Sequence, residues 1–88
     1  MFILIHKNSP EMQLVEMTGA DIFIRPENGR HSIIIEKASG KQIHAGSYAA
    51  WEDAVRELNW LDRAIDRGMN CYEMKNREED TCDKKAQL

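Results

Sequence analysis

The hydrophobic pattern of the chain changes its period once, close to Tyr48. Before that residue, apolar positions form short runs or alternate with polar ones, which is typical of β-strands. From Trp51 onward they recur every three or four residues, which is the spacing of one helix face. The pattern therefore predicts an α+β fold, an antiparallel meander of four to five strands covered by one C-terminal helix.

Strong turn signals bound the segment of residues 31–37, which is rich in isoleucine. Asn28-Gly29 precedes it, and this pair strongly favours a two-residue hairpin. Ser39-Gly40 follows it and predicts a second turn. The alternation before and after predicts further extended segments, and a five-strand meander results if the first two of them pair. The segments are residues 2–5, 12–17, 21–25, 31–37 and 41–48.

The helix is predicted to begin near Ala49 and Ala50 and to end near Arg67. Gly68 suits the position just after a helix end, because glycine adopts a left-handed backbone conformation without penalty. Trp51 is expected to lie in the core, as part of an apolar stripe that covers the sheet. The stripe contains Trp51, Ala54, Val55, Leu58, Leu61 and Ile65.

The chain is predicted to form one domain over residues 1–74. Within it, residues 71–74 offer Tyr72 and Met74 for burial as a further extended piece. Residues 75–88 contain four basic and four acidic side chains and little to bury. They are therefore predicted to form a charged, disordered tail.

Composition narrows the classes of function. The 88 residues are 31% charged and 42% hydrophobic, an ordinary balance for a folded domain. The net charge is -3 and the basic residues are dispersed, which disfavours nucleic-acid binding. The chain has no apolar run near the ~20 residues of a membrane span, and its start lacks the basic lead of a secretory signal. We expect no membrane partner and a cytoplasmic location.

The side chains that could perform chemistry do not form a recognisable motif. The three histidines are not spaced with Cys71 and Cys82 as structural zinc ligands are, and both cysteines are predicted to be free thiols. The serines lack a nucleophile-elbow motif and an evident base. We predict a protein that is not an enzyme and that uses no metal and no cofactor.

Trp60 is the residue that packing explains least well, because it falls on the side of the predicted helix away from the stripe. Three interpretations stay open: Arg56 or Arg63 stacks on the indole ring, the ring is buried in an interface, or the helix is rotated. Arginine and tryptophan are common anchors of contact surfaces. We therefore predict a protein-binding surface formed by Trp60, Arg56, Arg63 and Arg67.

Two stretches around the change of period, Gly46-Ser47-Tyr48 and Glu52-Asp53-Ala54, resemble the DNA-binding domain of AP2-type factors and phage integrase arms. This resemblance implies DNA binding through the sheet of residues 21–48. Those domains project basic and aromatic side chains from the sheet. Here the charges nearly balance, because the sheet contains Arg25, Arg30, Lys37 and Lys41 together with Asp21, Glu27 and Glu36.

Over residues 1–74 the chain is similar to small uncharacterised proteins of phages and prophages of Gram-positive bacteria. The similarity is a pattern of the form Gly-x-Tyr-x-x-x-Glu-x-Ala-x-x-x-Leu, followed by Tyr-x-Met after the helix. Ala50 departs from the usual Ser or Thr helix cap, and Lys75 stands where a proline is frequent. The matching residues are Gly46, Tyr48, Glu52, Ala54, Leu58, Tyr72 and Met74.

The phage resemblance implies a context and no catalytic residue. We expect an accessory protein that binds and modulates a host or phage protein, either by docking on a partner or by self-association as a homo-oligomer. Two alternatives stay open. One is DNA binding through the sheet of residues 21–48, and the other is a counter-defence protein that sequesters a small nucleotide signal.

Overall fold

A computed structural model describes residues 1–75, which form six strands and one helix. The predicted α+β class, an antiparallel-rich sheet region with one helix packed on it, is confirmed. The predicted tail lies outside the described residues except for Lys75, and so does Cys82. The elements are β1 Phe2–Ile5, β2 Gln13–Glu16, β3 Asp21–Glu27, β4 Arg30–Glu36, β5 Gln42–Tyr48, α1 Trp51–Asp66 and β6 Cys71–Glu73.

Strands β3, β4 and β5 form an antiparallel meander, and both predicted hairpins around β4 are confirmed. Asn28 and Gly29 have φ angles of 51° and 74°. A two-residue turn with positive φ at both positions matches the twist of the strands it joins. Pro26 is tolerated within β3 because β3 is an edge strand, where one row of backbone N–H groups is not needed for pairing.

Strand β1 is the centre of a second three-stranded sheet. It pairs antiparallel with β2 and parallel with β6, so residues 71–73 do dock as an extended piece. The strands thus divide into two sheets and do not continue as one meander. The division falls at the turn of Met17 to Ala20, where Gly19 has a φ of 71° and the Ala20 N–H donates to the Met17 carbonyl oxygen.

The two sheets and α1 enclose a single core. Tyr48 is fully buried, and its ring lies against Gly46 so closely that a Cβ atom there would be 2.9 Å from the Tyr48 hydroxyl oxygen. This close packing explains the Gly-x-Tyr pattern at the end of β5. The core cluster contains Ile3, Ile5, Val15, Ile33, Ile35, Ala45, Tyr48, Ala54, Leu61 and Met74.

Helix α1 is rotated relative to the predicted orientation, by about 70° at 100° per residue. Its buried residues are Ala54, Glu57, Leu61 and Ala64. The prediction that Trp51 and Ile65 lie in the core is wrong, because they are 53% and 54% exposed. The small alanines allow a close approach to the sheets, and hydrogen bonds hold the Glu57 carboxylate inside the protein. The helix end near Arg67 is confirmed, with Arg67 as the C-cap and Gly68 at a φ of 71°.

Glu57 connects α1 to the C-terminal strand. It is fully buried, and its Oε2 atom accepts hydrogen bonds from the Tyr72 hydroxyl at 2.7 Å and from the Lys75 backbone N–H at 2.9 Å. The Tyr48 hydroxyl donates to the Lys75 carbonyl oxygen at 2.5 Å. Residues on both sides of the core therefore fix the chain that follows β6.

Candidate functional site

Trp60 lies on the exposed part of α1 and is 43% exposed. The Arg63 guanidinium carbon is 5.1 Å from the centre of the indole ring, which is a cation–π contact. Arg56 instead donates to Asp53 Oδ1 at 2.9 Å. The structure thus brings Trp60 and Arg63, two of the predicted binding residues, into contact. Of the three interpretations of Trp60, it contains both the stacking of an arginine on the ring and a helix rotated from the predicted orientation.

The other predicted residues lie on the same side of the helix as Trp60. At 100° per residue, Arg56, Arg63 and Arg67 are all within about 60° of Trp60 around the helix axis. We call Arg56, Trp60, Arg63 and Arg67 the Trp60 flank. All four residues are exposed, so this flank presents one aromatic ring and three guanidinium groups.

The opposite side of α1 has a different character. Trp51 and Ile65 are exposed there, and we call these two residues the Trp51 flank. Asp62 and Asp66 fall within about 60° of Trp51 around the axis and are also exposed. The exposed surface of α1 is therefore basic and aromatic on one side and acidic and apolar on the other.

The outward side of the meander contains a hydrogen-bonded serine, histidine and glutamate. Ser32 is 2% exposed, and His44 Nε2 lies 2.9 Å from Ser32 Oγ and 3.5 Å from Glu27 Oε1. The pKa of Glu27 is lowered, first by the hydrogen bond from Ser32 and also by Arg25. An ionised carboxylate only accepts hydrogen bonds, so the Ser32 hydroxyl donates to Glu27. Its proton is not directed at His44, and the group therefore lacks the nucleophile–base arrangement of a catalytic triad.

The arginines of the meander have partners on the same sheet. Arg25 forms an ion pair with Glu27 at 2.9 Å and also donates to Gln42 at 2.9 Å. Arg30 donates to Ser47 Oγ at 2.7 Å. The charge of Arg25 is therefore offset by Glu27, whereas Arg30 donates to neutral oxygen atoms of Ser47.

A polar cleft opens between the ends of β1 and β5 and the segment at β6. Its volume is 330 Å³. His6 Nε2 lies 2.9 Å from the His44 carbonyl oxygen and donates to it, which connects two of the walls. Sequence reasoning missed this cleft, because its walls come from three separated segments. The lining residues are His6, Lys7, Asn8, Ser9, His44, Ala45, Gly46, Ser47, Glu73, Met74 and Lys75.

An apolar groove of 270 Å³ lies where α1 meets β1 and the start of β3. Ile65 lines it, together with Met1, Met17 and Ile22. The side chain that the sequence pattern placed in the core is therefore one wall of an open groove. The apolar stripe of the helix was the sequence signal for this groove. The prediction placed Ile65, a residue of that stripe, in the buried core instead of at the surface.

Within residues 1–75, no group of three or more His, Cys, Asp or Glu side chains is arranged to hold a metal ion. Cys71 is a free and exposed thiol. The described part of the chain has no helix that is both long and apolar enough to span a membrane.

Comparisons with protein-family models, curated proteins and solved structures found no match to this chain. The resemblance to phage and prophage proteins thus stays a prediction.

Proposed function

We propose that this protein is a non-enzymatic accessory protein that binds another protein through the Trp60 flank. The supporting observation is the Trp60–Arg63 pair, a large aromatic ring that stays 43% exposed while a guanidinium group lies 5.1 Å from its centre. Tryptophan and arginine dominate the residues whose removal costs most at protein interfaces. The phage resemblance suggests a host or phage protein as the partner.

The pair is attached to a well-anchored helix. Ala54 and Leu61 are at most 2% exposed and pack into the core, and Glu57 connects the same helix to the segment after β6. A ring held in one place loses less conformational entropy on binding than one on a mobile loop. This geometry favours a preformed contact surface.

The charge of the flank indicates the chemistry of the partner. Arg56 shares its charge with Asp53, while Arg63 and Arg67 lie one turn apart on the same side of the helix. Their guanidinium groups favour carboxylates, with which they can form two parallel hydrogen bonds. We therefore expect the partner to offer acidic side chains around a pocket that accepts an indole ring.

The test compares two exposed tryptophans on one helix. Trp60→Ala combined with Arg63→Ala removes the proposed contact, and Trp51→Ala, on the opposite flank, is the matched control. Sedimentation velocity measures self-association, and quantitative affinity capture from a bacterial lysate measures partner binding. We expect the double variant to lose the assembly or the captured partner and Trp51→Ala to keep it. Identical behaviour of wild type and double variant in both assays would contradict the proposal.

A further inference from the structure

We propose that the polar cleft between β1, β5 and the segment at β6 binds a small phosphate-bearing anion. This inference does not depend on the proposed protein contact, because the cleft and the Trp60 flank share no residue. It rests on the shape of the cleft, on the donors that line it and on how those donors are held.

The cleft has a buried floor and polar walls. Ala45 and Met74, which are 3% and 6% exposed, form the floor. Its 330 Å³ volume lies at the lower end of the ~300–1,000 Å³ typical of small-ligand sites. A single phosphate group with a small substituent fits such a volume, whereas a large cofactor does not.

Ammonium groups outnumber carboxylates among the residues that line the cleft. Lys7 and Lys75 each bring an ammonium group, and Glu73 is the lining carboxylate. Two positive charges minus one negative charge give the cleft +1, on a chain whose net charge is -3. The cleft is thus locally positive on an acidic protein, which favours an anionic ligand.

Lys7 keeps capacity for a ligand after its internal contact is counted. Lys7 Nζ lies 3.2 Å from Glu73 Oε1, but an ammonium group has three donor hydrogens. The Lys7 ammonium group can therefore contact a phosphate oxygen without breaking the ion pair seen in the structure.

The walls are held in position from outside the cleft. The Lys75 backbone is fixed on both sides, by its N–H bond to Glu57 and by the bond that its carbonyl accepts from Tyr48. In the opposite wall, the Ser9 N–H and the Ser9 hydroxyl both donate to the His6 carbonyl oxygen, at 3.1 Å and 2.8 Å, which holds that turn. Both sides of the cleft are thus ordered before any ligand arrives.

The test uses the full-length protein and inorganic phosphate as the probe. Two-dimensional ¹H–¹⁵N NMR follows a phosphate titration at constant ionic strength, with acetate as a second anion. We expect saturable shifts centred on the amides of Ser9, Gly46, Ser47 and Lys75, and weaker binding of acetate. Lys75→Gln should weaken phosphate binding about tenfold, because it removes one of the two ammonium groups of the residues that line the cleft.

Lys41→Gln is the matched control, because Lys41 is an exposed lysine just before the far end of β5. It should bind phosphate as the wild type does. An unchanged Trp60 indole resonance will verify that each variant is folded, and Trp60→Ala should leave the titration unaltered. The proposal is overturned if the shifts do not saturate, if acetate binds equally well, or if Lys75→Gln and Lys41→Gln behave alike.

Discussion

The two sheets of this protein differ in how far apart along the chain their paired strands lie. The meander of β3, β4 and β5 joins neighbouring strands through short turns. In the other sheet, the parallel pair of β1 and β6 places Phe2 beside Cys71. Both sheets supply the same core, so local turn chemistry specifies one half of the fold, whereas the other half depends on contacts between the chain's distant parts.

The sheet of β2, β1 and β6 also contains the shortest of the six strands, β6. Strand β6 contains three residues, and the chain after it is fixed by the bonds of Glu57 and Tyr48 to Lys75. Short edge elements held by few contacts open at lower free energy than core strands do. We expect β6 to be the first strand to open in the native protein and the meander to be the last.

Glu57→Ala should have the largest effect on the difference in stability between β6 and the meander. It leaves the Tyr72 hydroxyl and the Lys75 N–H without their shared acceptor and opens a cavity beneath α1. We expect a loss of about 2–5 kcal/mol in the free energy of unfolding, because two hydrogen bonds to the carboxylate are lost and the emptied space adds the cost of a cavity. Urea denaturation measures the loss, and amide hydrogen exchange should show β6 and β1 deprotected more than β4.

Glu52→Ala is the control for that variant, since Glu52 is an exposed glutamate in the first turn of the same helix. It should cost at most ~1 kcal/mol, the usual size of a helix-dipole contact. Equal losses for Glu52→Ala and Glu57→Ala would show that the buried carboxylate does not hold β6.

Gly46→Ala should act on the meander instead. The added methyl group would meet the Tyr48 ring at 2.9–3.0 Å, and Tyr48 is fully buried, so the ring cannot move aside freely. Overpacking of this kind costs about 1–3 kcal/mol. Thermal and urea unfolding should show the loss, with β5 amides the most deprotected. Wild-type stability would mean that the ring has an alternative position.

Tyr72→Phe and Tyr48→Phe form a closely matched pair. Each removes one hydroxyl, from Glu57 in the first case and from the Lys75 carbonyl in the second. We expect each to cost about 1 kcal/mol, the net contribution of a typical hydrogen bond. Hydrogen exchange should rise in β6 for Tyr72→Phe, while Tyr48→Phe should affect mainly the residues after β6. The same exchange pattern in both variants would contradict this division.

The smallest effect concerns one glutamate in each sheet. The pKa of Glu27 is lowered mainly by Ser32, and the pKa of Glu16 is lowered mainly by Thr18. Ser32→Ala should raise the pKa of Glu27 towards its ordinary value and leave that of Glu16 unchanged. Carbonyl-detected NMR across a pH titration measures both, and Glu16 serves as the internal control.

The sign of the pH effect follows from the lowered pKa of Glu27. A carboxylate that ionises more readily in the folded state stabilises that state above its ordinary pKa. This stabilisation disappears as the pH falls through the lowered pKa. Ser32→Ala should raise the folded-state pKa of Glu27 towards its ordinary value. The pH range in which Glu27 changes the free energy of unfolding should therefore become narrower. A Glu27 titration that is the same with and without the Ser32 hydroxyl would refute the assignment.

Local signals in the sequence predicted the local half of the fold. Asn28-Gly29 identified a hairpin whose two φ angles are positive, and Gly68 marked the end of α1. The division into two sheets could not be predicted from local signals. Nothing in the sequence near β6 indicates that this strand pairs with β1. Its parallel pairing depends on the complete core.

The orientation of α1 was mispredicted for a related reason. A hydrophobic pattern counts Glu57 as a surface residue, although Tyr72 and Lys75 make its burial favourable. Once Glu57 turns inward, Trp51 and Ile65 move to the exposed flank. Helical spacing offered Arg56 or Arg63 as stacking partners of Trp60, as one of three interpretations, and the structure contains the contact with Arg63. The polar cleft is lined by three segments that lie far apart in the sequence. No pattern of residue spacing could have predicted it.

The parallel pairing of β1 with β6 has a consequence for synthesis of the protein on the ribosome. Phe2 and its neighbour Cys71 are 69 positions apart, so one edge of β1 stays bare while those residues are made. At ~5–20 residues per second, translation leaves that edge open for roughly 3–14 s. During this interval the nascent chain displays an unpaired apolar strand to its surroundings, and only β2 shields its other side.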